Sequence, residues 1–401
     1  MSVSTRYLAL VLGLLSCIGP LSIDMYLPAL PAIETDLNAD TSAVQMTLTA
    51  YFMGFGISQL FYGPLSDQIG RKKPLYIGLT IFIISSVGCF LAPTIEWLTI
   101  MRFAQGLGGA VVMVIPRAII RDTQTGVAAT RMMGMVMMVI SISPMLAPLA
   151  GSAVLAFGGW HYIFALLAVL AVFSVLLTSF GLPETLHETD KVKFNIRNFV
   201  KGSRILLTDG YFMGLTLIGG FALASFFVFI ASASFVYTGQ FGLSPAGFGL
   251  AFALNGFGFF LATRLAAPIS ERIGTERMIR LAVAGSAAVT LALLALCFAG
   301  LGTLTVIVSF LFVSTACLGL VIPSTMVLAL DKHGHIAGLA SSLGGTIQMF
   351  VGGAMIAIAS PFFNGTATPM IGAIALCSVF TLLLALRTLP ASSAPVLATE
   401  E

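Results

Sequence analysis

The stretch Gly63-Pro64-Leu65-Ser66-Asp67-Gln68-Ile69-Gly70-Arg71-Lys72-Lys73 is a short charged turn between two long apolar segments. The chain around it has 401 residues, 58% of them hydrophobic and only 9% charged, with a mean hydropathy of +1.03. Soluble domains carry charge on roughly a quarter of their residues, so this composition specifies an integral membrane protein. A turn of such polarity then belongs at a membrane surface, and three consecutive cations, Arg71, Lys72 and Lys73, assign that surface to the cytoplasm.

Working outward from the turn, continuous apolar runs of about 20 residues, the length that crosses the hydrocarbon core as a helix, recur along the chain. The period-two alternation of a β-barrel is absent. The predicted fold is all-α with twelve transmembrane helices, at 7–30, 44–62, 75–92, 97–120, 132–156, 162–182, 211–238, 246–269, 278–299, 304–330, 336–360 and 369–386. The first run resembles a secretory leader, but Asp24 interrupts it and no small-residue cleavage pattern follows, so it is read as a retained helix.

The charges orient these spans. Connections after even-numbered spans hold Arg71, Lys72, Lys73, Arg121, Arg131, Lys191, Lys193, Arg197, Lys201, Arg204, Arg272, Arg277 and Lys332. The opposite connections hold Glu34, Asp36, Asp40 and Glu96 without lysine or arginine. Such one-sidedness predicts both termini in the cytoplasm. The hydrophilic segment 183–209 divides a six-helix bundle at 1–182 from a second at 210–388, with a disordered cytoplasmic tail at 389–401. The segment is read either as a helix on the membrane face, with Lys201 and Arg204 near lipid phosphates, or as a solvated linker. An internal echo pairs Pro64, Ser66, Asp67, Ile69, Gly70 and Lys73 with Pro268, Ser270, Glu271, Ile273, Gly274 and Arg277, as duplicated parallel repeats require.

Ionisable groups inside spans are costly and therefore candidates for function. Asp24 and Arg102 both fall in the outer half of the bilayer, where they form either a static ion pair or a proton-exchanging site facing a cavity. Arg102, Gly106, Gly109, Met113 and Arg117 recur at helical spacing on one face of the fourth span. That face reads as a substrate cavity wall, or at the glycines as close helix packing and at Arg117 as a side chain snorkelling to the surface. In the fifth span Pro144, Pro148 and Gly151 predict a bend at a helix interface. Gln45, Gln59, Asn255 and Gln348 could hydrogen-bond a ligand, and the more economical reading of each is interhelical glue. The five cysteines are scattered singly as small core residues, and His161, His187, His333 and His335 map to loops without a ligand set, so no metal or cofactor is expected. No phosphate-binding loop, nucleophile-base constellation or basic stripe for nucleic acid is present, which argues against an enzyme.

The Gly63–Lys73 turn and Leu98-x-x-x-Arg102-x-x-Gln105-Gly106 resemble signatures of the major facilitator superfamily. The fifth-span segment is similar to the motif of its drug/proton antiporters, with Ala147-Pro148 in place of Gly-Pro and Gly151-Ser152 in place of Gly-Gly. Ile23-Asp24-Met25-Tyr26-Leu27-Pro28-Ala29-Leu30-Pro31, Arg121-Asp122 and Gly159-Trp160 resemble the bicyclomycin/chloramphenicol resistance (Bcr/CflA) subfamily. The resemblance implies a monomeric exporter of drug-like amphipathic compounds in the bacterial inner membrane, in contact with lipids and driven by protons. It implies proton coupling at Asp24 with support from Arg102, and a cytoplasmic charge cluster of Asp67, Arg71 and Asp122 that stabilises one access state. The alternative is export or uptake of a metabolite such as an amino acid or sugar, for which paired charges would serve a zwitterion.

Overall fold

A computed structural model describes residues 5–124, 126–186, 189, 191 and 195–389. The tail from residue 390 onward, and the side chains of His187, Glu188, Asp190, Lys193 and His335, lie outside the described residues. The helices are α1 (Thr5–Asp24), α2 (Leu30–Asp36), α3 (Thr41–Ile69), α4 (Lys72–Phe90), α5 (Ile95–Gly109), α6 (Val111–Thr123), α7 (Gly126–Gly158) and α8 (His161–Leu176). They continue with α9 (Ile196–Thr208), α10 (Gly210–Phe235), α11 (Pro245–Ile273), α12 (Thr275–Phe298), α13 (Leu304–Asp331), α14 (Ala337–Ala359) and α15 (Ala367–Thr388). Among the described residues no strand is present, and ten helical segments are long and apolar enough to cross a membrane.

Side-chain caps start many of these helices. Asp40 accepts from the Ala43 N–H of α3, Thr94 from Trp97 of α5, Ser244 from Gly247 of α11 and Thr303 from Val306 of α13. Large apolar side chains such as Ile84, Val169, Leu250 and Val327 remain exposed on the outside, as lipid-facing positions should. The segment after α8 supplies α9, whose Gly202 is buried with Leu339 of α14 at close range while Ile196 and Val200 are exposed.

Helix contacts follow a two-fold pattern. α3 packs on α5, α4 on α5 and α8, and α1 on α7, while α10 packs on α13, α14 and α15, and α12 on α13 and α15. Two seams, α3 with α14 and α7 with α11, join the two sets. The turns that echo in sequence also match in backbone. α3 and α11 each end on a glycine of positive φ, Gly70 (95°) and Gly274 (83°), whose N–H bonds the carbonyl of Ser66 or Ser270. A side chain is strained at that φ, so glycine terminates both helices.

The fourth span is one continuous segment, Ile95–Thr123, with a one-residue break at Ala110, where the Met113 N–H also turns back to the Ala110 carbonyl at 3.1 Å and divides the span into α5 and α6. Gly106, Gly108 and Gly109 immediately before the break favour helix weakly, which localises it there. α7 runs as one helix through Pro144 and Pro148. The freed backbone groups do not break it, consistent with the tolerance of proline in membrane helices.

α3 and α5 cross at backbone contact: a Cβ at Gly106 would lie 2.1 Å from the Tyr51 carbonyl oxygen, and one at Gly54 would lie 2.2 Å from that of Phe103. Gly106→Leu is therefore expected to prevent recovery of monodisperse protein in detergent, whereas Gly134→Ala, with nothing within 4 Å of the added carbon, should leave the elution profile unchanged. Asp209 caps α10 through the Tyr211 and Phe212 N–H groups and bonds His333 Nε2 at 2.8 Å. Burial pushes its carboxyl up, but the Phe212, His333 and Tyr211 hydrogen bonds outweigh this and hold it below the ordinary value of 3.8. Its contribution is thus present at neutral pH and lost as pH falls below that value. Melting curves should show wild type more stable than Asp209→Asn at pH near 7, with the gap closing in strong acid.

Candidate functional site

A cavity of about 550 Å³ opens on the face that carries the Asp67–Arg71 turn. Its walls are the end of α3 (Gln59, Asp67), α6 (Met113, Arg117, Arg121), α9 (Asn198, Phe199) and the start of α14 (Gly338, Ser342). On the opposite side the two helix sets are closed together. Phe52 stacks on Phe227 with ring centroids 3.8 Å apart, and Gln45 Nε2 donates to the Ala231 carbonyl at 3.2 Å and to Ser232 Oγ at 3.1 Å. Ser152 Oγ donates to the Pro245 carbonyl and Thr346 Oγ1 to the Gly56 carbonyl, sealing the α7–α11 and α3–α14 seams. The cavity is therefore accessible from one side.

Asp24 ends α1 in the closed region, where it is 4% exposed, and among the described residues it makes no hydrogen bond or ion pair. Arg102 is fully buried nearby. Its guanidinium carbon lies 4.4 Å from the Tyr51 ring centroid and 4.6 Å from that of Tyr26. One nitrogen donates to the Ser22 carbonyl and to Gln105 Oε1, which is itself anchored to Ser86, while Nε and the other terminal nitrogen have no partner. Aromatic faces thus carry much of this cation's burial. Of the two readings of these residues, the static ion pair is not formed: Arg102 bonds Ser22 and Gln105 instead of Asp24. The two groups are instead neighbours through Ser22, whose carbonyl binds Arg102 and whose hydroxyl bonds Tyr51 Oη at 2.7 Å, two residues from Asp24.

Asp67, Arg71 and Asp122 do come together. Arg71, itself buried, donates to Asp67 Oδ1 at 2.6 Å and grips both oxygens of Asp122, at 2.7 and 3.0 Å. Burial disfavours its charge, but the hydrogen bonds and fields of Asp122 and Asp67 prevail and raise its affinity for the proton. Sequence reasoning did not find Glu184. Its carboxylate accepts from the Arg71 and Lys72 N–H groups at the start of α4, complementing that helix end, and occupies the space a side chain at Gly70 would need. Lys72 Nζ reaches the Ser179 and Leu182 carbonyls. No sequence spacing connects Glu184 to the turn, because the contact spans more than a hundred residues. In the second repeat Thr275 stands at the position of Arg71, and the cluster is replaced by a Ser270–Thr275 hydroxyl contact.

Of the fourth-span residues, Met113 and Arg117 line the cavity and Gly106 and Gly109 do not. A Cβ at Gly109 would lie 3.0 Å from Tyr51 Oη, so both glycines serve close packing against α3. Gly151 likewise packs, on the Met25 backbone, and Pro144 lies beside Gly256 of α11. Pro144 thus lies at the seam between the helix sets, whereas Gly151 packs within the first set.

A cavity between two similarly built helix sets, open on one side and closed on the other, is the arrangement of a membrane transporter. The chain belongs to the Major Facilitator Superfamily, whose family model matches residues 12–357. It is 37% identical to an uncharacterized MFS-type transporter, YdgK, of Bacillus subtilis, over 90% of each chain. It is 28% identical to a bicyclomycin resistance protein homolog of Haemophilus influenzae, over 95% of each. Its fold matches the crystal structure of a D-xylose-proton symporter with a TM-score of 0.76 at 17% identity, over 96% of this chain and 98% of that one. The relatives bear out the resemblance to antibiotic-resistance transporters of bacteria, and the chain is a multi-pass membrane protein.

Asp122 is 13% exposed at its side chain and Asp67 40%. Asp122→Asn, which weakens a largely buried pair, should destabilise by about 3 kcal/mol, and Asp67→Asn by less than about 1 kcal/mol. Thermal unfolding in one detergent compares them; equal effects would contradict this division of labour.

Proposed function

We propose that the protein is a proton-coupled exporter of drug-like amphipathic compounds in the bacterial inner membrane, working by alternating access. In this reading α3 and α7 complete twelve spans, the bundles are 1–182 and 210–388, and the cation-rich turn face is cytoplasmic, as is each terminus. The observation that carries the proposal is the pairing of a drug-sized, one-sided cavity with an acid in the sealed region that has no fixed partner. The resistance proteins among its relatives support export as the direction.

Cargo enters from the turn face. Opening to the other side requires the Phe52–Phe227 stack and the Gln45–Ser232 bond to part, which gives access to Asp24. Entry of a proton there neutralises the acid and favours return to the cytoplasm-open form. At about 2.3 kcal/mol per charge per 100 mV, one proton supports accumulation on the order of fifty-fold. Arg102, with two unmatched donors and Ser22 as a shared link, is placed to answer the change of charge on Asp24. The amino-acid alternative calls for a preformed charge pair in the cavity, and neither Asp24 nor Arg102 lines it.

Asp24→Asn is expected to abolish efflux driven by a pH gradient in vesicles while leaving the protein inserted and monodisperse. Undiminished gradient-driven transport in that variant would refute the proton role. Arg102→Lys should fold but transport at least about tenfold more slowly, because an ammonium does not reproduce the planar stacking.

A further inference from the structure

The cavity contains a cation that nothing in the described protein balances. Arg117 lies on α6, one turn from Met113 and one from Arg121, within a membrane-spanning segment, and its side chain lines the space. Among the described residues it has no hydrogen bond or ion pair. Every wall lends the same answer about the opposite charge. α3 brings Asp67, which is committed to Arg71 at 2.6 Å and lies 3.6 Å from Arg121 at the mouth. α9 contributes Asn198 and Phe199 with its capping residue Asn195, and α14 contributes Ser341 and Ser342, so neither adds a charge. An unpaired guanidinium at membrane depth is costly, and such a group persists where a ligand completes it.

We infer that the cavity selects amphipathic organic anions, with Arg117 anchoring a carboxylate or a similar oxyanion. The inference rests on the reading of this cavity as the cargo site. The planar fork of a guanidinium matches two carboxylate oxygens, which an ammonium does not. Ser341, Ser342 and Gln59 offer further donors, and Met113, Val114 and Leu339 form an apolar wall for the rest of the molecule. A lipophilic cation in the same space meets Arg117 and Arg121 without a free acid.

The test measures binding to the full-length protein in nanodiscs, by calorimetry and without any gradient, using naphthoate, its amide and naphthylmethylammonium as probes of one shape. Wild type should bind naphthoate about ten- to hundredfold tighter than the amide, the range of a hydrogen-bonded charge, and the ammonium most weakly. Arg117→Gln should erase the preference for the acid over the amide while eluting as wild type does from size exclusion, which shows that the variant is folded. Arg117→Lys should retain part of the preference. Equal binding of the three, no detectable binding of any, or a preference that survives Arg117→Gln overturns the inference. A carboxylate preference without gradient-driven transport would defeat the exporter reading alone, whereas Asp24-dependent transport without that preference would defeat only the anion selectivity.

Discussion

Closure of the two helix sets at one end is the constraint around which the molecule is arranged, and there Phe52 lies flat on Phe227 between the α3–α14 and α7–α11 seams. A stacked aromatic pair contributes only about 0.5–1.5 kcal/mol beyond its buried area. The seal is reinforced by few bonds, among them those from Gln45, Thr49, Ser152 and Ser360. A seam built from a handful of modest contacts suits a carrier, whose two access states must differ by little free energy to interconvert.

The interior charges show how a protein in oil keeps ions without freezing them into pairs. Arg71 is fixed by two carboxylates and serves the architecture of the turn. Arg102 has two phenolic rings, a carbonyl and an amide oxygen, a set that tolerates a cation and leaves two donors uncommitted. An ion pair with Asp24 would have fixed both groups, since breaking a buried pair costs several kcal/mol. Separating them through Ser22 leaves neither group fixed by the other.

The helical, membrane-spanning character was legible in composition, and the Asp67–Arg71–Asp122 cluster was legible through resemblance to a known motif. The sequence echo of the two turns was also sound, since Gly70 and Gly274 share a backbone geometry that glycine alone accepts readily. The roles of Gly106 and Gly109 were not decided by spacing. Helical periodicity states that residues share a face, whereas the partner of that face, here the Tyr51 backbone, is a tertiary fact. Glu184 and the aromatic cage of Arg102 escaped for the same reason: both join residues distant in sequence through groups common everywhere in the chain.

The two repeats have diverged in what they bury. Asp24, Arg71 and Arg102 are sequestered, and Arg117 faces the cavity, all in the first repeat. Among the described residues of the second, the buried polar groups are hydroxyls, Asn255 and His333. Hydroxyls such as Thr290, Thr325 and Thr381 satisfy themselves on carbonyls of their own helices, so that repeat can move as a body without separating charges. Any step that changes the charge of the first repeat must then be felt across the seams, where Gln45 meets Ser232 and Gly345 approaches Gln59, rather than within the second repeat itself. With Thr275 standing where the first repeat has Arg71, the buried aspartate and arginine side chains are concentrated on one of two similar frames.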